Sequence, residues 1–392
     1  MSRVGSGRVG AGLGTRAALI CVAATFATNG FVLGAYAGSL PTLREHLGLN
    51  HPLQIPAVLL VVSLFGILGM QVGGRAAERV GPRLVTLSGF APLGIGAIVF
   101  GISPTYPLTL VGGALLGFGN GLLDVSMNAF AVRVEQARRK AVMSRLHALW
   151  SLGNASGAGV VLGLGQVLTV GPGALLALAL ATTAVATLAA GVTVALWCPP
   201  VPPETTEHLV TGGRVPRIVW VLGAMAVAFG LAEGTAYDWS AILITDIAGV
   251  TASVGALGLT VTASAMVTIR LLGDWLVDRF GRRAVVRSGG ACAVVGFGLL
   301  IVGTALPVLL AGWGLVGLGI GAVAPQVYAV AGHQGGPRGL AMVVTFGYAT
   351  FLAGPAVIGG LIGTVGIQPA MVAPGLLCLA LVVLAQGMPR RD

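Results

Sequence analysis

Apolar runs of about twenty residues alternate along this chain with short clusters of charge, Pro and Gly. About 20 largely apolar residues is the length of helix that crosses the hydrocarbon core of a bilayer. With charge clusters, Pro and Gly as breaks, the pattern predicts twelve spanning helices. The first six cover 17–40, 54–74, 84–103, 107–131, 146–169 and 174–197. The second six cover 218–244, 252–272, 287–305, 308–331, 340–363 and 370–388. The fold class read from this is an all-α membrane protein.

A second pattern lies over the first. Gly73-Gly-Arg-Ala-Ala-Glu-Arg-Val-Gly-Pro-Arg83 and Gly273-Asp-Trp-Leu-Val-Asp-Arg-Phe-Gly-Arg-Arg283 stand 200 residues apart. The offset matches Gly73 with Gly273, Glu78 with Asp278, Arg79 with Arg279, Gly81 with Gly281 and Arg83 with Arg283. It then holds without a gap, pairing Gly89, Gly96, Gly112, Gly117, Gly119 and Gly121 with their counterparts at 289, 296, 312, 317, 319 and 321. A repeat of this size in a membrane chain implies two pseudo-symmetric six-helix halves. Each charged stretch is expected to be a short, tightly turned loop at the membrane surface. The expected organisation is a cytoplasmic tail at 1–16, one half at 17–197, a Pro-rich cytoplasmic linker at 198–217, the other half at 218–388 and a tail at 389–392.

Composition agrees: 56% of the residues are hydrophobic and 9% charged, too much apolar surface for a soluble exterior to hide. The formal charge of +10 reports orientation rather than nucleic acid, since no basic stripe interleaves with aromatics on a polar face. Of 22 Lys and Arg, all but Arg44 fall on one side when the N-terminus is placed inside, Arg270 being counted with the loop charges. The positive-inside rule then puts both termini in the cytoplasm, and the chain reads as a multi-pass protein of the inner (plasma) membrane, surrounded by lipid and monomeric. The first apolar run is too long for a signal-peptide core, and Gly30 and Gly34 pair with Gly230 and Gly234, so it is read as an uncleaved first span. Cys21, Cys198, Cys292 and Cys378 are far apart and form neither a disulfide framework nor a metal site.

Catalytic motifs are missing. Gly5-Ser-Gly-Arg-Val-Gly10 fits a dinucleotide fingerprint but follows no strand, and Walker A, HExxH and GxSxG patterns are absent. The chain is read as no enzyme, with no cofactor and no metal.

Together with the twelve spans and the central linker, the two charged stretches resemble the major facilitator superfamily signature Gly-x-x-x-(Asp)-Arg-x-Gly-(Arg)-Arg. The second copy matches fully; in the first, Glu78 stands for the usual Asp and Pro82 for an Arg. Gly121-Leu-Leu-Asp-Val-Ser-Met-Asn128, Met143 with His147, and Ala232-Glu-Gly-Thr-Ala-Tyr-Asp-Trp-Ser240 resemble the fucose/sugar-permease-like branch and its bacterial relatives. The resemblance implies proton-coupled solute transport and a gating role for Gly73, Glu78, Arg79, Gly81, Arg83, Gly273, Asp274, Asp278, Arg279, Gly281 and Arg283. The competing reading is that these arginines serve topology alone.

Three of the twelve acids, Asp124, Glu233 and Asp238, fall inside predicted spans. An ionisable residue there costs at least ~2.5–3.5 kcal/mol, so it usually faces a cavity. Asp124 stands about 13 Å from the Arg133 level at 1.5 Å per residue, near the midplane, and Asn120, Asp124 and Asn128 share one helix face. Glu233 stands about 24 Å from Arg217, with Tyr237 and Ser240 on its face. Asp124 and Glu233 are the expected proton-coupling acids, against a structural reading in which each bonds only to neighbouring helices. Asn29, Asn120, Asn128, His147, Asn154, Tyr237, Gln326 and Tyr348 are the polar groups expected near a central cavity, with simple packing the alternative for His147.

The function expected is secondary active transport of a small organic solute by alternating access, with proton symport. Export of a drug or metabolite is the alternative. Symport is preferred because Gly153-Asn-Ala-Ser-Gly157-Ala158 lacks the Gly-Pro of drug antiporters in the fifth helix. A non-transporting membrane sensor is the reading from another class.

Overall fold

The computed structural model describes residues 14–51, 53–138, 142–200 and 216–389. The remainder of the predicted tails and linker lies outside the described residues, as do the side chains of Glu78, Asp274 and Tyr348. The described chain is helical, with no strand. In order run α1 (Arg16–Gly38), α2 (Gln54–Val80), α3 (Pro82–Ile102), α4 (Tyr106–Arg138), α5 (Met143–Val167) and α6 (Pro172–Trp197). Then come α7 (Arg217–Ala248), α8 (Leu257–Phe280), α9 (Arg282–Val302), α10 (Leu306–Gly321), α11 (Val323–Val365) and α12 (Val372–Leu384). Short helices at Leu40–Leu47, Ala252–Gly255 and Ile367–Ala370 lie between them.

Ten helical stretches among the described residues are long and apolar enough to cross a membrane, and Ala353–Val365 is a shorter apolar one. The predicted fifth span is helical too, although Arg145, His147, Ser151 and Asn154 dilute its apolarity. The predicted tenth span is divided between α10 and the start of α11, and the predicted eleventh follows within the same helical segment, α11. It doubles back, because a Cβ on Gly339 would lie 3.4 Å from the carbonyl oxygen of Ala331, and one on Gly347 would lie 2.7 Å from the Tyr328 hydroxyl. In a straight helix Ala331 and Gly339 would stand about 12 Å apart.

Two expectations need correction. The charged stretches are not loops over their length: α2 continues to Val80 and α8 to Phe280, so a single residue, Gly81 or Gly281, makes each turn. A helix closes its hydrogen bonds within its own backbone, so it continues through charged side chains past the end of the apolar run. Arg270, counted with the loop charges, sits inside α8, about 16 Å of helix before Gly281.

The two turn glycines share one conformation, φ 84°, ψ 152° at Gly81 and φ 79°, ψ 155° at Gly281. That region is essentially closed to residues with a Cβ, at a cost of about 1–3 kcal/mol. Replacing Gly281 by alanine is therefore expected to lower the thermal midpoint of the detergent-purified protein. An unchanged melting curve would show that the turn relaxes without strain.

The chain forms two compact units. One comprises Met1–Tyr36, Glu45–Leu47 and Val61–Leu209; the other comprises Ala37–Arg44, Gly48–Leu60 and Val210–Asp392. Inside each, the repeat reappears as the same set of helix crossings. Gly117 faces the Val62 carbonyl as Gly317 faces that of Thr262, and Gly119 faces Gly89 and Leu93 as Gly319 faces Gly289 and Ala293. Gly96 faces the Leu116 amide as Gly296 faces that of Val316, and Gly112 and Gly312 pack on Phe100 and Leu300. Without a hydrophobic drive between helices in lipid, small residues that let backbones approach supply the packing. The second unit also has a buried apolar cluster that includes Val219, Leu222, Phe229, Val286, Val323, Val327, Val343 and Leu381.

Candidate functional site

In the first unit, the polar side chains collect where α1, α4 and α5 meet. Gly30 and Gly34 of α1 lie against the backbone of Trp150 and Asn154, while Gly153 and Gly157 of α5 lie against that of Ala27 and Phe31. This close crossing seats Asn29, 1% exposed, between two partners. Its Nδ2 donates to Asn120 Oδ1 at 2.8 Å, and Trp150 Nε1 donates to its Oδ1 at 2.7 Å. Asn29 thus ties three helices together. One turn beyond Asn120 is Asp124, half-buried, whose carbonyl accepts from Asn128 Nδ2 at 2.8 Å. Its repeat counterpart Ala324 is packed into the apolar cluster of the second unit. Only one half carries an acid here.

Two other predicted residues of this unit lie on α5. His147 meets the Phe26 ring edge-on, with centroids 5.3 Å apart, and its backbone carbonyl accepts from Ser151. Asn154 is buried, and its Oδ1 has no hydrogen-bond partner among the described residues.

In the second unit, α7 carries Glu233 towards α8, where Arg270 donates from Nη2 to Glu233 Oε1 at 3.1 Å. The two side chains are 15% and 12% exposed, so the pair is largely withdrawn from solvent without being sealed. Arg270 Nε also donates to the carbonyl of Gly321 at 3.1 Å. Gly321 is the last residue of α10, and the carbonyls at a helix end lack an intrahelical donor. The break between α10 and α11 thus supplies an acceptor that an unbroken helix would have used. Tyr237, one turn along α7 from Glu233, is buried and places its hydroxyl 3.5 Å from Met266 Sδ.

Arg83, Arg282 and Arg283 bond within their own units. Arg83 Nη2 donates to the Ala195 carbonyl near the end of α6 at 2.9 Å, and Arg283 Nε to the Met388 carbonyl just past α12 at 2.7 Å. Each restrains the last helix of its own six. Arg282 donates to Gln326 Oε1 at 3.2 Å, which joins a predicted cavity residue to the turn at Gly281. Arg79, Asp278 and Arg279 are at least partly exposed.

Two contributors escaped the sequence reading. Arg270 was available to it, because an acid inside a span calls for a basic partner inside a span and Arg270 lies in the predicted 252–272. Glu135 was not: its Oε2 accepts the amides of Val142 and Met143 at 2.7 and 3.1 Å, capping the start of α5 from α4 through a contact that no spacing rule marks.

A helical chain of this length, with repeated six-helix halves and ionisable groups held within its spans, defines a multi-pass membrane transporter. The chain belongs to the Major Facilitator Superfamily, whose family pattern matches residues 22–332. It is 32% identical to the uncharacterized transporter y4wD of Sinorhizobium fredii (strain NBRC 101917 / NGR234), over 93% of this chain and 96% of that one. It is 30% identical to the uncharacterized MFS-type transporter YPO1221/y2967 of Yersinia pestis, over 93% and 94%. Among solved structures, a point mutant of the nucleoside transporter NupG superimposes with a TM-score of 0.72 at 10% identity, covering 94% of this chain and 98% of that one. FucP in its outward conformation gives 0.63 at 17%, covering 95% and 99%. These likenesses carry the twelve-helix fold, and family membership makes the chain a transporter rather than an enzyme.

Proposed function

We propose that this transporter is a proton-coupled symporter of a small organic solute, working by alternating access in the inner membrane with both termini cytoplasmic, as a monomer. Asp124 and Glu233 are its coupling acids, and the charged turns at Gly81 and Gly281 take part in gating. The observation that carries the reading is the pairing of Glu233 with Arg270 inside the helices of the second unit, together with a half-buried acid at Asp124 in the first. Acids so placed cost insertion energy that a purely structural role returns poorly, and acids of this kind mark proton relays in transporters. Stretches of about 30% of this chain are similar to probable polyol transporters of Arabidopsis thaliana, which supports a small organic solute.

Proteoliposomes loaded with a pH-sensitive dye test this. Sugars, nucleosides, amino acids and organic acids are added in turn to wild type and to Asp124→Asn. The expected result is a solute that drives proton entry in wild type and leaves the variant at the protein-free rate. Equal proton entry in both would remove Asp124 from the coupling.

A further inference from the structure

Cys21 and Cys198 stand 177 residues apart in the chain, yet the fold brings their thiols together at one end of the first unit. α1 supplies Cys21, whose Sγ donates to the Thr193 carbonyl in the last turns of α6 at 3.8 Å. Cys198 is the first residue past α6, extended at φ −73°, ψ 124°, and its amide closes the final turn on the Val194 carbonyl at 3.2 Å. The end of α6 therefore seats both sulfurs, and the two thiols hydrogen-bond to each other.

A third group completes the cluster. Arg83, which donates to the Ala195 carbonyl, also bonds the Cys198 thiol and stands close enough to Cys21 to act on it by charge. A cationic neighbour is what separates reactive thiols from inert ones. The pair is tucked in without being sealed: Cys21 has no exposure and Cys198 has 6%. Cys292 on α9 donates to the Leu315 carbonyl at 3.3 Å, and Cys378 lies buried in α12. Neither has a thiol or a guanidinium beside it among the described residues.

We propose that Cys21 and Cys198 form an oxidisable dithiol, which a hydroperoxide converts to a disulfide between α1 and the residue that follows α6. One sulfur, as thiolate with the other thiol donating to it, attacks the peroxide. An S–O bond forms, the O–O bond breaks, and the leaving oxygen departs as water or alcohol with that thiol's proton. The second sulfur then attacks the sulfenic sulfur; the S–S bond forms, the S–O bond breaks, and the hydroxyl leaves as water with the second proton. Two thiols are oxidised and one peroxide is reduced. The orientation proposed above puts this pair at the cytoplasmic surface, where thiols rest reduced and disulfides are transient or redox-sensing. The bridge fastens the first span to the start of the segment that joins the two halves, and it takes from Arg83 the thiol that Arg83 bonds. The oxidation state of the pair is thereby connected to the charged turn at Gly81.

The test is a thiol count on the full chain, purified in detergent and freed of reductant. The protein is treated with hydrogen peroxide, unfolded in SDS and labelled with a polyethylene-glycol maleimide, whose gel shift reports each free thiol. Untreated wild type is expected to take four labels, one for each cysteine, and treated wild type two. Dithiothreitol restores all four. Mass spectrometry of the digest is expected to find the Cys21 and Cys198 peptides joined, lighter than their sum by the two thiol hydrogens. Cys21→Ser and Cys198→Ser each remove the partner and should yield no joined peptide. Cys292→Ser/Cys378→Ser keeps the bridge and drops from two labels to none. Because the bridge closes a loop of 177 residues, treated wild type is also expected to melt at a higher temperature than untreated, and treated Cys21→Ser is not. Four labels on wild type after peroxide, and again after the thiol oxidant diamide, overturn the inference. A bridge to Cys292 or Cys378 overturns it too, as does a sulfinic acid on Cys198 with no peptide joined to it.

Discussion

Replacing Gly34 by leucine is expected to abolish the folded transporter, although the change adds only apolar atoms to an apolar helix. A Cβ at this position would lie 2.7 Å from the carbonyl carbon of Asn154 and 2.8 Å from its Cα. Those are backbone atoms of α5, which cannot rotate aside as a side chain can. Overpacking a well-filled core costs about 1–3 kcal/mol even where neighbours yield, and here relief requires α1 and α5 to part. Parting them withdraws Trp150 from Asn29, and a buried polar group left without its partner costs about 1–3 kcal/mol more. The control lies on α5 itself: a Cβ on Gly163 would meet nothing within 4 Å, so Gly163→Leu should leave the protein unchanged. The check is size-exclusion in detergent followed by a melting curve. A Gly34→Leu protein that elutes and melts like wild type would show that the α1–α5 crossing is not tight.

The glycine pattern explains how much of the fold was legible in the sequence. In lipid, helix contacts are marked by small residues, so a register such as Gly112, Gly117, Gly119 and Gly121 against its counterparts writes the crossings into the chain. The contacts at Gly317 and Gly319 repeat those at Gly117 and Gly119 residue for residue. Helix ends were less legible, because hydropathy reports where lipid stops and not where the backbone stops coiling; α4 runs on to Arg138 for that reason. The break at Ala322 was hidden inside an apolar run with no charge to mark it.

The site was legible in its outliers and illegible in its pairings. Asp124 and Glu233 stand out because acids are rare in spans, and their depth follows from counting residues. The pairing of Asn29 gives no such signal, since its partners Asn120 and Trp150 lie 91 and 121 residues away and only the crossing of three helices brings them together. Arg270 was obscured by its place three residues before Gly273, where the charge pattern absorbed it into the surface cluster.

The pairing of Arg270 with Glu233 makes the largest effect on stability a non-additive one. Truncating Arg270 to methionine is expected to destabilise the second unit by about 3–5 kcal/mol, because it leaves a carboxylate without its counter-charge inside the helices. It also strips the Gly321 carbonyl of its donor. Removing both charges, as Glu233→Leu with Arg270→Met, should recover most of that loss, since an apolar pair of similar volume replaces an ion pair at little or no net cost. The measurement is a double-mutant cycle on thermal midpoints in detergent, with Glu233→Leu as the fourth corner. A double variant more stable than both single ones identifies the pair as one electrostatic unit. Losses that simply add would place Glu233 and Arg270 in separate roles.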